Sequence, residues 1–156
     1  MLWVKTFFGI LFQTALLAIF LYLPALTLNW PDALLFLTIH FLITILASAY
    51  LLIVKPASIE ARMNYDSETQ PKEDRLATVL MLSAIVVGLS LAPIDIFHLN
   101  LSSSFEGSIK NIGLAIYIIG MLLFMASINA NEFAETTVNI QEERGQKVID
   151  KGIYSL

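Results

Sequence analysis

Cysteine is absent from this chain of 156 residues, and histidine occurs only twice, as His40 and His98. Without cysteine there can be no disulfide bond, thiolate metal site, Cys-x-x-Cys redox pair or cysteine nucleophile. Two histidines are fewer than a metal enzyme of this size normally needs. Glycine-rich nucleotide loops, the His-Glu-x-x-His zinc motif and the Gly-x-Ser-x-Gly elbow are also missing. The sequence therefore predicts no metal site and no soluble nucleotide-binding domain.

Charged residues are also scarce in this chain. They make up 14% of the chain, against a hydrophobic share of 57%, whereas a soluble domain has about a quarter charged residues. The formal net charge is −4, and no basic cluster is present, which excludes a nucleic-acid binder. So few charges cannot cover a surface that faces water. We therefore expect an integral membrane protein whose partner is the lipid bilayer.

Four apolar runs contain no Asp, Glu, Lys or Arg, and they cover residues 7–28, 33–54, 76–94 and 111–131. A helix that crosses the hydrocarbon core needs about 20 apolar residues, so each run predicts one transmembrane helix. The first run is too long for a signal peptide and has no cleavage site before Trp30. We predict an all-α fold: a polytopic membrane helix bundle of four transmembrane helices in residues 1–131, with a short cytoplasmic C-terminal tail, residues 132–156.

The basic residues predict the orientation of these helices. The N-terminus, the 55–75 link and the tail hold eight of the nine, and the segments between the other helix ends hold only Lys110. Because cytoplasmic segments carry the excess of Lys and Arg, we expect both termini and the 55–75 link to face the cytoplasm. The mixed charges of that link are typical of a solvated connector. The eight are Lys5, Lys55, Arg62, Lys72, Arg75, Arg144, Lys147 and Lys151.

Polar residues are also found inside the predicted helices. His40, Thr44 and Ser48 are four residues apart and therefore share one helix face. An ionisable group within a membrane span is a functional candidate, and the other spans offer no second ionisable partner. The alternative is structural: a neutral His40 that hydrogen-bonds between helices, with Thr44 and Ser48 bonded to their own backbone. The sequence leaves both interpretations open.

Small residues recur on the third and fourth predicted helices. They let helix backbones approach closely, and such packing is what drives association where lipid is as apolar as the side chains. We therefore expect the third helix to pack against the fourth. The small residues are Ala77, Ala84, Gly88 and Ala92 on the third helix and Gly113, Gly120 and Ser127 on the fourth.

The tail resembles a known family. Three stretches carry the resemblance: Asn131-Glu132-Phe133, then Thr137 to Ile149 with its Glu-Arg-Gly-Gln-x-Val-Ile core, then Lys151-Gly152-Ile153-Tyr154. They are similar to the isoprenylcysteine carboxyl methyltransferases, which are integral membrane enzymes that use S-adenosylmethionine. The link from Lys55-Pro56 to Met63 resembles bacterial members of the same family.

The resemblance implies a cofactor site for S-adenosyl-L-methionine that begins in the tail. Eukaryotic members often have His in place of Gln146, and many bacterial members have Arg in place of Asn139. Family members continue after the position of Leu156 with an Arg-His-Pro-x-Tyr segment and the catalytic groups. The resemblance therefore implies a C-terminally truncated member, in which the catalytic residues are unknown and expected beyond the C-terminus. The implied cofactor-binding residues are Asn139, Gln146, Lys147, Val148, Ile149 and Tyr154.

Two functions follow as expectations. An intact relative would transfer a methyl group to a lipophilic or prenylated acceptor, such as a prenylcysteine carboxylate, and we expect the 156-residue chain alone to be inactive. A carboxylate acceptor needs no general base, whereas an amine lipid would need one or would have to react as the neutral amine. The alternative is a non-enzymatic four-helix membrane protein that acts as an assembly partner or carrier. The sequence names neither the acceptor nor the oligomeric state.

Overall fold

The structure, a computed structural model, describes residues 1–63, 72–101, 107–131, 148–150 and 152–155. All regular secondary structure in these ranges is helical, and four of the helices are long and apolar enough to cross a membrane. The predicted all-α fold with four candidate membrane spans is therefore confirmed. The five α-helices are α1 (Leu2–Ala25), α2 (Pro31–Val54), α3 (Pro56–Met63), α4 (Lys72–Ile94) and α5 (Gly107–Ala130).

The helices are longer than the uncharged runs that predicted them. α1 begins five residues before the predicted span and includes Lys5, and α4 begins at Lys72 with a charged first turn. A helix of 24 residues, as in α1, α2 and α5, is about 36 Å long, whereas the hydrocarbon core is about 30 Å thick. In a helix of this length that crosses a membrane, the additional turns would extend into the polar interface, where a lysine is tolerated.

The helices are arranged in the order α4, α1, α2, α5. α1 packs against both α2 and α4, and α2 also packs against α5. α1 and α2 are antiparallel because a link of only five residues, 26–30, joins them. α2 and α5 run in the same direction, since Asp32 contacts Lys110 near their first residues and Lys55 contacts Asn129 near their last.

The predicted packing of the third transmembrane helix, α4, against the fourth, α5, is wrong. Within the described residues these two helices do not contact each other. A Cβ atom added at Gly88, Gly113 or Gly120 would meet nothing within 4 Å. In hydrocarbon, small residues provide no attraction until a partner is close, whereas polar contacts select a partner directly. In the described residues, the polar side-chain contacts of α5 with other helices are with α2 and with Lys55 at the C-cap of α2.

Two apolar clusters lie at opposite ends of the bundle. We call the end that holds the N-terminus, α3 and the turn at residues 152–154 the basic end, and the other the link end. At the link end, Leu21 of α1 packs with Ala33 and Leu37 of α2. At the basic end, Leu51, Leu52, Ile59 and Ile128 form a cluster that joins α2, α3 and α5.

The helix α3 corrects the expectation of a solvated connector. Ile59 and Ser58 are buried, and Met63 Sδ accepts a 3.5 Å hydrogen bond from Thr6 Oγ1 of α1. Lys55, between α2 and α3, is the C-cap of α2 and donates its backbone N–H to Leu51. The first part of the link therefore belongs to the packed bundle, while residues 64–71 lie outside the described ranges.

At the link end, aromatic side chains and an imidazole connect α4 to the α1–α2 hairpin. Buried Pro93 precedes a π-helical turn, Asp95–Leu99, which extends α4. Within this turn, the Phe97 ring lies 5.3 Å from that of Trp30, and His98 Nε2 lies 2.7 Å from the carbonyl oxygen of Pro24. α4 is thereby fixed at this end of α1.

Candidate functional site

Three of the six predicted cofactor residues lie within the described ranges. Val148 is 91% exposed and Tyr154 is 42% exposed, and Ile149 is partly buried. Asn139, Gln146 and Lys147 lie outside the described residues. The structure therefore locates only the second half of the predicted cofactor segment, and it leaves two of its side chains open to a ligand.

The end of this segment folds back onto α5. Gly152–Tyr154 forms a single 3₁₀ turn that packs against that helix. Gly152 has φ +64°, a left-handed conformation that L side chains rarely adopt, and an added Cβ would lie 3.4 Å from the Cβ of Ala130. Glycine is favoured here by its conformation, whereas the distance to Ala130 is an ordinary van der Waals contact. The turn places Tyr154 at the basic end, beside the last residues of α5.

An apolar cleft of about 250 Å³ separates α2 from α5 near the same end. Alanines on both helices, Ala47 and Ala126, leave the gap because their side chains are short. Tyr50, which is half exposed, forms one side. The remaining lining residues are Leu51, Met125 and Asn129. The cleft is smaller than the usual 300–1,000 Å³ of a ligand pocket, so it has room for part of an apolar chain.

A cation lies at the edge of this cleft. Lys55 Nζ donates a hydrogen bond to the backbone carbonyl of Asn129, which is itself a lining residue. An ammonium group has three donors, so this bond leaves Lys55 able to bind a second acceptor. An apolar cleft next to an ammonium group fits an amphiphile with an acidic head.

A larger cleft of about 510 Å³ is found at the link end. Among the described residues it is lined by α1 and the link that follows it: Ala18, Ile19, Tyr22, Leu23, Leu26, Thr27 and Leu28. None of these side chains is charged, and the cleft lies at the opposite end from Tyr154. The smaller cleft is therefore the better candidate for a site that also uses the tail.

A polar layer lies between the two apolar clusters, and we define it by His40 and Thr44 of α2 and Tyr117 of α5. His40 Nδ1 lies 2.5 Å from the hydroxyl oxygen of Tyr117. The ring of Phe36 lies 4.8 Å from that of Tyr117 and stacks on His40 at 6.4 Å. Of the two interpretations of His40 that the sequence leaves open, the structural one includes a hydrogen bond between helices, and the structure contains that bond.

The sequence alone did not indicate a role for Tyr117, because a tyrosine within an apolar span resembles any other large apolar side chain. The position of each residue along its helix is a signal that could have paired Tyr117 with His40. His40 is nine residues after the start of α2, and Tyr117 is ten residues after the start of α5. Two parallel helices that begin at one membrane surface therefore hold these residues at nearly the same depth.

The expected backbone bond of Thr44 is not formed. Neither Thr44 Oγ1 nor His40 Nε2 has a hydrogen-bond partner among the described residues, although the side chains are only 7% and 5% exposed. By contrast, Thr14 and Thr38 each donate to the carbonyl four residues earlier, at 2.8 Å. A buried polar group without a partner costs about 1–3 kcal/mol. The polar layer thus contains two unsatisfied groups one helical turn apart.

The ion pair Lys110–Asp32 holds the other end of the α2–α5 interface. The two side-chain atoms are 2.6 Å apart, and both side chains are more than half exposed, at 53% and 55%. An exposed pair contributes about 0–1 kcal/mol. It therefore fixes the relative position of the helix ends more than it stabilises the bundle.

The described residues contain no group of three or more His, Cys, Asp or Glu that could hold a metal ion. Comparison of the chain with protein-family models, with curated proteins and with solved structures finds no match. The resemblance in the tail and the geometry of the basic end are therefore the basis for a function.

Proposed function

We propose that this chain is the membrane-embedded part of a methyltransferase that transfers a methyl group from S-adenosylmethionine to a lipophilic acceptor, such as a prenylcysteine carboxylate. One observation carries the proposal beyond the resemblance. The turn that holds Tyr154 packs on the end of α5 that also lines the apolar cleft through Asn129. A polar donor and an apolar acceptor would thus meet at one end of the bundle.

The chemistry demands little from the side chains. The methyl group on a sulfonium is already activated, and an ionised carboxylate is already a nucleophile, so no general base is required. Positioning alone can supply about 7–11 kcal/mol through effective concentration. In this proposal the cleft between α2 and α5 holds part of the acceptor's apolar chain, and Lys55 attracts its carboxylate.

The basic end faces the cytoplasm in this proposal. Lys5, Lys55, Arg62 and Arg75 belong to this end, whereas Lys110 lies at the link end. Cytoplasmic segments carry the excess of basic residues, which supports the orientation. S-adenosylmethionine would reach the tail from the cytoplasm while the acceptor enters sideways from the bilayer.

The cofactor would be bound by the tail residues that match the family. Tyr154 is exposed at the basic end, Val148 is also exposed, and Ile149 follows Val148 in the chain. Asn139, Gln146 and Lys147 complete the proposed set by resemblance. The family's Arg-His-Pro-x-Tyr segment would supply further groups, so the test includes a chain extended by that segment and the helices that follow it.

The test measures transfer of a labelled methyl group from S-adenosylmethionine to a prenylcysteine analogue in nanodiscs. We expect transfer by the extended chain and none by the 156-residue chain. In the extended chain, Ala126→Trp should raise KM for the acceptor at least tenfold by filling the cleft, with KM for the cofactor unchanged. Ala115→Trp is the matched control, because Ala115 is exposed on the same helix.

Three results would contradict the proposal or a part of it. Absence of both cofactor binding and transfer in a folded extended chain would favour the non-enzymatic alternative, an assembly partner or carrier. An equal effect of Ala126→Trp and Ala115→Trp on KM for the acceptor would show that the acceptor does not bind in the cleft. A reporter fused at Asp66 that is active only outside the cell would overturn the proposed orientation.

A further inference from the structure

His40 and Thr44 of the polar layer are buried about midway along α2. His40 is about 14 Å along α2 from its first residue, and Thr44 is about 20 Å along it, which brackets the middle of a 36 Å helix. Both side chains are more than nine-tenths buried. Whatever satisfies His40 Nε2 and Thr44 Oγ1 must therefore be small enough to fit inside the packed helices.

The hydrogen bond to Tyr117 determines which ring nitrogen of His40 carries the proton. If the Tyr117 hydroxyl donates to Nδ1, a neutral imidazole must carry its proton on Nε2, and one buried donor remains without a partner. In the opposite tautomer, Nε2 lacks a donor and the Tyr117 hydroxyl also needs a new acceptor. The first arrangement leaves fewer groups unsatisfied. His40 Nε2–H is therefore a donor that needs an acceptor.

A third polar atom from α1 lies at this depth. Leu21 of α1 and Leu37 of α2 share the cluster at the link end. Thr14 precedes Leu21 by seven residues, and Thr44 follows Leu37 by seven, so in antiparallel helices the two threonines are at one level. Thr14 is on the packed side of α1, between buried Ile10 and Leu21. Its hydroxyl donates to the Ile10 carbonyl and keeps its lone pairs for a second bond.

We propose that one water molecule binds in the polar layer, accepting a hydrogen bond from His40 Nε2–H and donating to Thr44 Oγ1, with Thr14 Oγ1 as its third partner. Buried waters make two to four hydrogen bonds, and this site offers two groups without a partner, His40 Nε2 and Thr44 Oγ1, with the Thr14 hydroxyl as a further acceptor. A metal cation is a poor fit because the uncharged spans 7–28, 33–54, 76–94 and 111–131 provide no carboxylate at this depth.

The water has a positioning role. It completes the hydrogen-bonded chain Tyr117–His40–water–Thr44 and links α1, α2 and α5 at one level. Since apolar side chains prefer neither lipid nor protein inside a bilayer, such a chain favours one arrangement of the three helices over its slipped alternatives. The site is separate from the cleft and the tail, and it does not depend on the proposed methyltransferase function.

The experiment is NMR of the chain with ¹⁵N-labelled histidine in nanodiscs of deuterated lipid. His98→Gln leaves His40 as the single histidine, because the chain has only two. We expect the Nε2-protonated tautomer and a cross-peak between Nε2–H and water. Thr44→Val should remove at least half of the cross-peak intensity, since it removes one partner of the water. Thr38→Val is the matched control, as Thr38 is exposed on the same helix and bonds Leu34.

Three outcomes would overturn the inference: an Nδ1-protonated tautomer, a cross-peak from Nε2–H to lipid protons with none to water, or a full cross-peak in folded Thr44→Val. The tautomer and the cross-peak are measured with Thr44 intact, so they decide the matter even where Thr44→Val does not fold. Thr44→Ser, which keeps the hydroxyl, should retain the cross-peak.

Discussion

The interface of α2 with α1 differs in kind from its interface with α5. α1 and α2 are joined by a five-residue link and pack through apolar side chains such as Leu21, Ala33 and Leu37. α2 and α5 are far apart in the chain and are connected by polar contacts at both ends and at one third of their length. A short link can impose a neighbour, whereas a distant helix must be selected by contacts that lipid cannot replace.

The largest expected effect comes from the α1–α2 interface. Leu37→Ala should lower the free energy of unfolding by about 2 kcal/mol, because the cavity loses contacts that lipid does not refill. The measurement is unfolding in mixed micelles with increasing denaturing detergent. Leu46→Ala is the control, since Leu46 is 69% exposed on the same helix and should change stability little. Equal losses in both variants would contradict the assignment of a packed apolar interface.

A smaller effect is expected at the polar layer. Tyr117→Phe should lower the free energy of unfolding by about 1 kcal/mol, because it leaves His40 Nδ1 without its partner. The pair His40→Phe with Tyr117→Phe should cost less than the sum of the single changes, as measured in a double-mutant cycle. Tyr50→Phe, on the exposed side of α2, is the control. Strict additivity would mean that the two side chains do not interact.

The smallest effect belongs to the link end of the α2–α5 interface. Asp32→Asn should cost less than about 1 kcal/mol at low salt and nothing measurable at high salt, because the Lys110–Asp32 pair is exposed. Unfolding at two ionic strengths separates the charge from other effects. A loss of stability that persists at high salt would show that Asp32 makes another stabilising contact besides its ion pair with Lys110.

Because the chain lacks cysteine, an introduced pair of cysteines can report how close α2 and α5 are to each other. Cysteines introduced at Ala47 and Ala126, on opposite walls of the cleft, should form a disulfide or short cross-link in the native bundle. The same pair in a Tyr117→Phe chain should cross-link more slowly if the polar layer positions α5. An unchanged cross-linking rate would mean that the polar layer contributes to stability but does not position α5. Thr38 and Ala126, with Thr38 facing lipid, provide a negative control pair.

The sequence predicted those parts of the fold that depend on solvent exclusion. The absence of charge in four runs predicted four helices, and the spacing of His40 and Thr44 predicted a shared face. It could not predict which helix would pack against α5. Small residues such as Gly113 and Gly120 allow close packing, but they do not specify the partner helix. The burial of Ile59 depends in part on Ile128 of α5, and the partner of His40 is Tyr117. The residues of each pair are more than 65 positions apart along the chain.

The parallel course of α2 and α5 has an electrostatic consequence. Two helix C-termini lie side by side at the basic end, and each carries about half a negative elementary charge from its aligned peptide dipoles. Lys55 sits at the end of one and bonds the Asn129 carbonyl of the other. This end of the bundle therefore offers a local preference for positive charge, and the Lys55 ammonium group meets that preference where the two helices end.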